Sequence, residues 1–491
     1  MSQQREIELK LLLLPGALAK LERHAVWRRP RSSHAARLLD SRYFDTPAQR
    51  LAAHGITLRI RRSGVSCVQT VKRENRIAGG LIERAEWSSP YEGRFDFTAV
   101  TDRTVSKQLR RHADRLRPLF RTVIRRKTRL WHGPHGSTIA ISLDRGHIAC
   151  ARRRLTVSEL ELELVRGPTA QLHALAERLV RELPLVPCAE SKPRRGMRLL
   201  QRPESTTDMF KHFGDSTGLE TFKLIACELV SQWQDALPSF DPLQAESVHA
   251  LRLLLRRSRT LLRVFAPVLP AKFHRRWTET LRGAARAFDA ARDFDVLLTD
   301  VSRRDSRVPL DAARLRVIRK LHDRASNAHR KAARTHDRTA LALLSLRLAE
   351  DVRRLRNEPA IHPESAKDLA RRRLRSLDAR TRRRFKAVDV RDRRTLHRLR
   401  IALKQARDAR LELLPWLSRK ELSPIEPLRR ATMALGELQD LDRARTLLTQ
   451  LLNDEPQLAA AITTLVTDIE TRHRKTMPEA VRRARRALRR C

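Results

Sequence analysis

Two patterns of apolar and polar positions divide the chain. Up to about residue 167, short segments alternate apolar and polar residues with a period of two, and turn residues separate them. This alternation is typical of half-buried β-strands. It predicts eight strands: Glu6–Leu13, Leu38–Asp45, Ile56–Arg62, Ser66–Lys72, Leu81–Trp87, Leu119–Trp131, Ser137–Ile148 and Thr156–Val165. Helical patterns near Leu18–His24, Thr104–Leu116 and Thr169–Leu183 complete an α+β domain, and we expect its antiparallel sheet to close into a barrel or tunnel.

From residue 219 to the end, leucines recur at i, i+3, i+4 and i+7, and no strand-like alternation follows. This period predicts an all-α region. Between the two patterns lies a polar, turn-rich stretch. The sequence therefore predicts a domain with a closed antiparallel sheet at 1–202, a linker at 203–218 and a helical domain at 219–491.

The helical half repeats itself. His249-Ala-Leu-Arg252 is followed 148 residues later by His397-Arg-Leu-Arg400. Further basic residues then stand at matching offsets, and the pattern Arg292–Asp295 is answered by Gln439–Asp442. The duplication predicts two pseudo-symmetric helical bundles, at about 219–345 and 346–491.

Charge narrows the choice of partner. The 491 residues include 103 Lys and Arg against 56 Asp and Glu, a net charge of +47, and 41% are hydrophobic. The apolar content excludes wholesale disorder, and the charge predicts an anionic partner. Only 4% of residues are aromatic, which argues against single-stranded nucleic acid, whose bases stack on such side chains. Phosphate without bases is the simpler partner.

The cysteines and the apolar runs exclude other classes. The five cysteines are scattered and form no Cys-x-x-Cys pair, which argues against a disulfide framework or a thiolate zinc site. No apolar run reaches the ~18–20 residues that span a bilayer, and the Leu11–Leu14 run is too short for a signal-peptide core. We expect a cytoplasmic protein that does not contact a membrane.

Charged residues share faces of the predicted strands. In the first strand, a period of two places Glu6, Glu8 and Lys10 together. Other strands carry similar sets: Arg59 and Arg61; Thr70 and Lys72; Arg121 and Arg125; Ser142 and Asp144; Glu159, Glu161 and Glu163. Each set alone could be the solvated face of a strand. If the sheet closes, however, one charged set must line the interior, and carboxylates mixed with Arg and Lys suit a divalent cation bound to phosphates.

The order of these motifs resembles the CYTH domain, whose members are also called triphosphate tunnel metalloenzymes, over roughly residues 1–200. The motifs are Glu6-x-Glu8-x-Lys10, Tyr43-Phe44-Asp45-Thr46, Leu58-Arg59-Ile60-Arg61, Gln69-Thr70-Val71-Lys72, Leu143-Asp144-Arg145-Gly146 and Glu159-Leu160-Glu161-Leu162-Glu163. The resemblance implies an eight-stranded tunnel that acts on triphosphates with Mg²⁺ or Mn²⁺.

The resemblance also implies roles for individual residues. The implied metal ligands are Glu6, Glu8, Asp144, Glu159, Glu161 and Glu163. The implied phosphate-binding cations are Lys10, Arg59, Arg61, Lys72, Arg121 and Arg125. Lys192 matches a late lysine that orients the attacking water, and it is expected to act in catalysis with Glu6 and Glu8.

A second constellation lies on predicted helices. His249, Arg252, Arg256 and Arg259 occupy one side of a helix, and His397, Arg400, Lys404 and Arg407 repeat the pattern. A solvated basic face would explain either copy alone, whereas two copies favour a groove between two basic faces. No nucleophile–base pair or metal-ligand spacing accompanies them, so binding is favoured over catalysis. Residues 220–491 resemble the CHAD domain, which implies that these eight residues bind inorganic polyphosphate.

We therefore expect Mg²⁺-dependent hydrolysis of inorganic triphosphate to pyrophosphate and phosphate, with polyphosphate bound by the helical half. Hydrolysis is favoured over cyclisation because no base-reading pocket is evident and because the pairing of the two domains resembles inorganic triphosphatases. Four alternatives stay open: a nucleoside or thiamine triphosphatase, an adenylate cyclase, a non-catalytic polyphosphate scaffold, and nonspecific nucleic-acid binding. Association with polyphosphate granules also stays open.

Overall fold

The computed structural model describes residues 4–28, 32–33, 35–78, 81–200, 216–302, 311–356 and 364–490. Most of the predicted linker, residues 203–215, lies outside the described residues. The chain forms two compact units, one dominated by strands and one wholly helical. The predicted fold class, an α+β domain followed by an all-α region, is confirmed.

Eight antiparallel strands close into a barrel. Two short strands lie outside the ring, so the described residues contain ten strands in all. In chain order they are β1 (Gln4–Leu13), β2 (Ser32–Ser33), β3 (Arg37–Asp45), β4 (Ile56–Ser63), β5 (Ser66–Ala78), β6 (Leu81–Pro90), β7 (Arg117–His132), β8 (Thr138–Cys150), β9 (Arg153–Arg166) and β10 (Leu185–Pro187). The barrel order is β1-β6-β5-β4-β3-β7-β8-β9, and β9 pairs with β1 to complete the ring. The short strands β2 and β10 pair at its margin.

Helices cover part of the outer face of the barrel. Its helices are α1 (Ala17–Arg23), α2 (Ala25–Arg28), α3 (Arg103–His112), α4 (Thr169–Glu182) and α5 (Lys192–Leu200). Leu58 and Val71, paired across β4 and β5, pack with Val105 and Leu109 of α3. The alternate positions of these strands carry the charged residues that face the interior. The period of two thus places apolar side chains under the helices and charged ones inside the barrel.

The first compact unit also includes residues 227–239 and 338–355. Helix α11 (Arg338–Arg354) packs on α4, and Leu341 and Leu346 are fully buried. His173 Nε2 of α4 lies 3.0 Å from Glu350 Oε2 of α11. This unit differs from the division at 203–218 predicted from sequence, because periodicity identifies a helix without identifying its packing partner.

The second compact unit is built from helices, with no named strand among its described residues. The helices that follow the barrel are α6 (Gly218–Ala236), α7 (Ala245–Phe265), α8 (Ala271–Ala287), α9 (Asp289–Val301), α10 (Ala312–Thr335), α11, α12 (Ala366–Lys386), α13 (Arg393–Glu412), α14 (Arg419–Leu422), α15 (Ile425–Asp454) and α16 (Ala459–Leu488). Among these helices, none is long and apolar enough to cross a membrane.

The helical duplication is visible in the helix positions. Helices α6 and α12 begin 148 residues apart, and so do α7 and α13. Two backbone hydrogen bonds are exchanged between the copies: Gly218 N donates to Glu364 O at 2.9 Å, and Ala366 N donates to Ser216 O at 3.0 Å. Donor and acceptor positions are each related by the same 148 residues. The two copies therefore contact each other reciprocally, as equivalent surfaces do across a twofold axis.

Candidate phosphate and metal sites

The barrel encloses a cavity of about 540 Å³. Its lining contains equal numbers of acidic and basic side chains. The acids are Glu6, Glu8, Glu86, Asp144, Glu161 and Glu163, and the bases are Lys10, Arg59, Arg61, Lys72, Arg126 and Lys192. A bare polyanion entering the cavity would therefore meet as many negative as positive groups. Ten of the residues predicted from sequence are brought together here: Glu6, Glu8, Lys10, Arg59, Arg61, Lys72, Asp144, Glu161, Glu163 and Lys192.

Lys192, the first residue of α5, is bound by three carboxylates. Its Nζ lies 2.6 Å from Asp144 Oδ2 and 2.9 Å from Glu161 Oε1, and it also pairs with Glu159. Burial alone would lower the pKa of Lys192, but these carboxylates hold it well above its ordinary value. These contacts favour the protonated form of Lys192, which donates hydrogen bonds.

Asp144, Glu159 and Glu161 form a close group of buried carboxylates. One oxygen of each lies within 4.8 Å of the others, a donor set suited to a hard cation. Arginines also pair with the group: Arg126 donates to Asp144 in bidentate fashion at 2.7 and 2.6 Å, and Arg195 pairs with Glu159. The side chain of Glu159 is fully buried behind the cavity lining, and although burial opposes ionisation, Lys192 and Arg195 lower its pKa to about 2. Lys10 also pairs with Glu161, so four protein cations already neutralise this group.

Glu163 has the opposite surroundings. It lies opposite Glu8 in the pairing of β9 with β1, and it makes no ion pair or hydrogen bond among the described residues. Burial, together with the charges of Glu6 and Glu8, raises the pKa of Glu163 to about 7. Negative charge here exceeds what the protein neutralises, which is the condition that a divalent cation would relieve.

Arginines of β4 carry the uncompensated positive charge. Burial and the neighbouring Arg59 lower the pKa of Arg61 to about 10. The Nε of Arg59 is buried and has no hydrogen-bond partner among the described residues, and its nearest acid, Glu86, is 3.8 Å away. Burial would raise the pKa of Tyr43, but Arg59 and Arg61 hold it below its ordinary value. The Nε of Arg59 thus lacks an acceptor, which a phosphate oxygen could supply.

The structure corrects the prediction for Arg121 and Arg125. Both are exposed on the outer face of β7, and Arg121 pairs with Asp40 there. Arg126 faces the cavity instead. In β7 the buried residues Phe120, Thr122 and Ile124 hold the even positions, so the odd-numbered arginines point away from the interior.

Sequence reasoning missed Arg126, Arg195 and Tyr43. The alternation of apolar residues in β7 could have identified Arg126 as inward-facing. Tyr43 was part of a recognised motif, but no spacing rule assigns its hydroxyl to the cavity. Arg195 follows Lys192 by three residues on α5, the separation that places two side chains on one helix face.

The helical unit brings the second predicted constellation together. Helices α7 and α13 pack against each other. Burial and the charges of Arg256 and Arg400 lower the pKa of Lys404 to about 8, although Asp408 opposes the shift. Lys404 makes no ion pair within the part of the chain that the structure describes. The basic residues of the two repeats are thus close enough to repel one another, as expected of a site for a polyanion.

Other members of this constellation have polar partners. Arg400 Nη1 donates to Gln439 Oε1 at 2.5 Å, and His397 Nδ1 lies 3.0 Å from the same oxygen. In the first repeat, Arg252 Nη1 donates to Asp289 at 2.7 Å. Burial and the charges of Arg292, Arg256 and Arg252 lower the pKa of His249.

Two family models match the chain. The model described as the CYTH domain matches residues 4–197, and the model described as the CHAD domain matches residues 225–449. A curated inorganic triphosphatase of Haemophilus influenzae is 28% identical over 211 residues, which are 43% of this chain and 59% of that protein. The chain thus spans less than two thirds of the length of that relative.

Two solved structures are also similar. The CHAD domain of Ricinus communis is 23% identical, with a TM-score of 0.46, and the match covers 56% of this chain and 93% of that one. A putative adenylyl cyclase of Hippeastrum is 22% identical, with a TM-score of 0.29, and the match covers 40% of this chain and 98% of that one.

Proposed function

Because the chain carries a CYTH domain over residues 4–197 and a CHAD domain over residues 225–449, we propose that its barrel hydrolyses inorganic triphosphate with a divalent metal ion. One water is added across a phosphoanhydride bond, and the products are pyrophosphate and phosphate. The similarity to an inorganic triphosphatase supports this choice of substrate.

The charge distribution of the cavity carries the proposal. Six acidic and six basic side chains line it, so a polyphosphate anion fits only if a cation accompanies it. The uncompensated acid is Glu163, and the Nε of Arg59 is a buried donor without an acceptor among the described residues. A metal–triphosphate complex would satisfy both groups, because its metal ion can bind the glutamates and its phosphate oxygens can accept hydrogen bonds from the arginines.

The carboxylates fit a hard divalent ion such as Mg²⁺ or Mn²⁺ because every donor is an oxygen. Glu6, Glu8 and Glu163 would hold it, with Asp144, Glu159 and Glu161 next to them. When bound, the ion neutralises phosphate charge that develops in the transition state. Arg59, Arg61 and Lys72 bind the remaining phosphate oxygens. Lys192 Nζ, which only donates, orients the attacking water and does not deprotonate it.

Phosphate release tests the enzymatic proposal. We expect triphosphate to be cleaved faster than ATP or long-chain polyphosphate in Mg²⁺, and EDTA to abolish release. Glu163→Gln should raise the Mg²⁺ concentration needed for half-maximal rate by roughly tenfold, because one anionic ligand is lost. Glu22→Gln, which changes an exposed glutamate of α1, is the control and should leave the rate unchanged.

Other outcomes select the alternatives. Faster cleavage of ATP would favour a nucleoside triphosphatase, and cyclic nucleotide among the products would favour a cyclase. If no phosphate is released from any substrate, in protein that still binds polyphosphate, the barrel would be a binding site without catalytic activity.

We further propose that the helical unit binds inorganic polyphosphate between α7 and α13. The binding residues would be His249, Arg252, Arg256, Arg259, His397, Arg400, Lys404 and Arg407. The observation that supports this is the depressed pKa of Lys404, whose neighbours Arg256 and Arg400 come from both repeats. A polyanion would relieve this repulsion, whereas an ordinary solvated face would separate its charges.

Competition separates polyphosphate from nucleic acid. Labelled polyphosphate bound to the whole chain should resist DNA at equal phosphate concentration, and Arg400→Gln should weaken its binding roughly tenfold, by loss of a charge-assisted contact. Because anion binding favours the protonated amine of Lys404, affinity should also fall as pH rises through about 8. Displacement by DNA at equal phosphate would instead indicate nonspecific binding.

A further inference from the structure

Helix α7 continues its basic stripe beyond the predicted groove residues. Arg263 follows His249 by fourteen residues, which keeps it on the same helix face as Arg252, Arg256 and Arg259. At 1.5 Å per residue, the stripe lengthens from about 15 Å at Arg259 to about 21 Å at Arg263. The first repeat thus has one more cation along the groove than the site inferred from the duplication.

The second repeat does not share this extension. The position equivalent to Arg263 on α13 is Leu411, whose side chain is 47% exposed. The position equivalent to Arg373 of α12 is Ile225 of α6. The two halves therefore match within the groove and differ at its end, where only one of them is basic.

Three helices contribute to this end, which we call the end cluster: Arg263 of α7, His274 of α8, and Arg373 and Arg380 of α12. Arg373 Nη2 donates to Arg263 O at 2.8 Å, which fixes α12 against the last turn of α7. Arg380 follows Arg373 by seven residues and lies on the same side of α12. The fold thus brings Arg373 against Arg263 and places Arg380 on the same side of α12.

The end cluster has little negative charge to balance it. Burial, with Arg259, Arg380 and Arg373 nearby, lowers the pKa of Arg263, and the acid that acts on it is Asp408. Asp408 already pairs with Arg407 of the groove. Burial and the charges of Arg263 and Arg373 also lower the pKa of His274.

Two further observations show that the end cluster has donors available for an anion. The Nε of Arg373 is buried and has no hydrogen-bond partner among the described residues. Arg263 and Arg380 form no ion pair in the described part of the chain, whereas Arg372 beside them pairs with Glu364 at 2.5 Å. Since Asp408 lies near both Arg256 and Arg263, the end cluster is continuous with the groove.

We propose that the end cluster is a second phosphate subsite, which a polyphosphate chain reaches only when it is longer than the groove. The proposal rests on polyphosphate binding by the helical unit. The subsite adds affinity for long chains on the side of the first repeat alone, because the second repeat has Leu411 at the position equivalent to Arg263. Phosphates of a long chain accept hydrogen bonds from Arg263, Arg373 and Arg380.

The alternative is that these arginines only stabilise the helix end. Arg263 lies in the last turn of α7, and Arg373 binds one of the terminal carbonyls, and both arrangements stabilise a helix without any ligand. Thermal unfolding of each variant measures this contribution. A purely structural role would lower the melting temperature and leave the dependence of binding on chain length unchanged.

The test measures dissociation constants of the whole chain for size-fractionated inorganic polyphosphates, from the shortest fraction that binds to the longest. Arg263→Leu, which copies the second repeat, and the exposed Arg380→Gln should each weaken long chains roughly three- to fivefold. Binding of the shortest chains should stay unchanged. For long chains, the slope of log affinity against log salt concentration should decrease in magnitude by about one for each arginine removed.

Two matched variants sharpen the test. Arg375→Gln removes the same charge from an exposed position of α12 that lies away from Arg373 and Arg380, and it should have no effect. Leu411→Arg gives the second repeat the missing cation and should strengthen binding of long chains. An unchanged affinity for long chains in both Arg263→Leu and Arg380→Gln would overturn the subsite.

The outcomes also separate this inference from the proposed function. Equal weakening of short and long chains would assign Arg263 to the groove and overturn a separate subsite. Arg400→Gln should weaken chains of every length, because it lies in the groove. If the unmodified chain bound no polyphosphate, the proposed function itself would fail, and the subsite with it.

Discussion

Adjacent residues of one strand meet opposite environments in this barrel. Arg125 is exposed, whereas Arg126 holds Asp144 and Glu161 inside the cavity. A shift of one residue in a strand exchanges its two faces, so a motif can locate the strand correctly and still select the wrong arginine. The sequence contained the correcting signal in Phe120, Thr122 and Ile124, which fix the buried face.

This pair of arginines gives a test at the level of one side chain. Arg126→Gln should leave the buried Asp144 with Lys192 as its remaining cation, which destabilises the fold by roughly 2–4 kcal/mol and reduces triphosphate hydrolysis at least tenfold. Chemical denaturation and phosphate release measure the two effects. Arg125→Gln is the control and should change stability by less than about 0.5 kcal/mol.

A second substitution distinguishes charge from packing. Adding Asp144→Asn to Arg126→Gln removes the carboxylate that has lost its arginine partner. Stability should therefore recover in part while hydrolysis stays low. If Arg126→Gln were as stable and active as Arg125→Gln, the inward placement of Arg126 would be wrong.

At the level of elements, α5 carries two cations that pair with the buried carboxylates of the barrel, and a glycine positions this helix. A Cβ at Gly196 would lie 2.3 Å from the ring of Phe120, which is itself stacked on Tyr43 with ring centroids 4.6 Å apart. Only a residue without a side chain allows α5 to approach β7 this closely. The helix that holds Lys192 and Arg195 is thus positioned by contact with the barrel wall.

Gly196→Ala should therefore displace α5 or Phe120. We expect a loss of stability of roughly 1–3 kcal/mol by overpacking, together with reduced hydrolysis because Lys192 moves. Gly283→Ala in α8 is the control: no atom lies within 4 Å of its Cβ position, and the change should stabilise the chain by roughly 0.5–1 kcal/mol. Wild-type stability and turnover in Gly196→Ala would contradict this account of α5.

Elements with a strong period were predicted well, and their partners were not. Alternation predicted each of the eight barrel strands, and leucine spacing predicted α7 and α13, because burial on one face imposes the period on the sequence. Nothing in that period states that α11 packs on α4. The buried pair of His173 and Glu350 depends on residues 177 positions apart, a relation that a single sequence does not display.

At the scale of the whole molecule, sequence motifs predicted the fold class and the order of the two domains. The same motifs identified ten of the residues that line the cavity, because a closed sheet has one interior and charged strand faces must meet there. The boundaries of the compact units were beyond this reasoning. Residues 227–239 and 338–355 have helical periods like their neighbours, and only packing assigns them to the unit that contains the barrel.

The position of α11 in the chain has a consequence for biosynthesis. The barrel strands are translated before residue 206, but the helix that buries Leu341 and Leu346 in the same compact unit ends at Arg354. At the usual 5–20 residues per second, a ribosome needs roughly 7–30 s to add the intervening segment. During this interval the nascent barrel lacks α11, and the apolar surface that this helix covers is left for chaperones or for premature contacts.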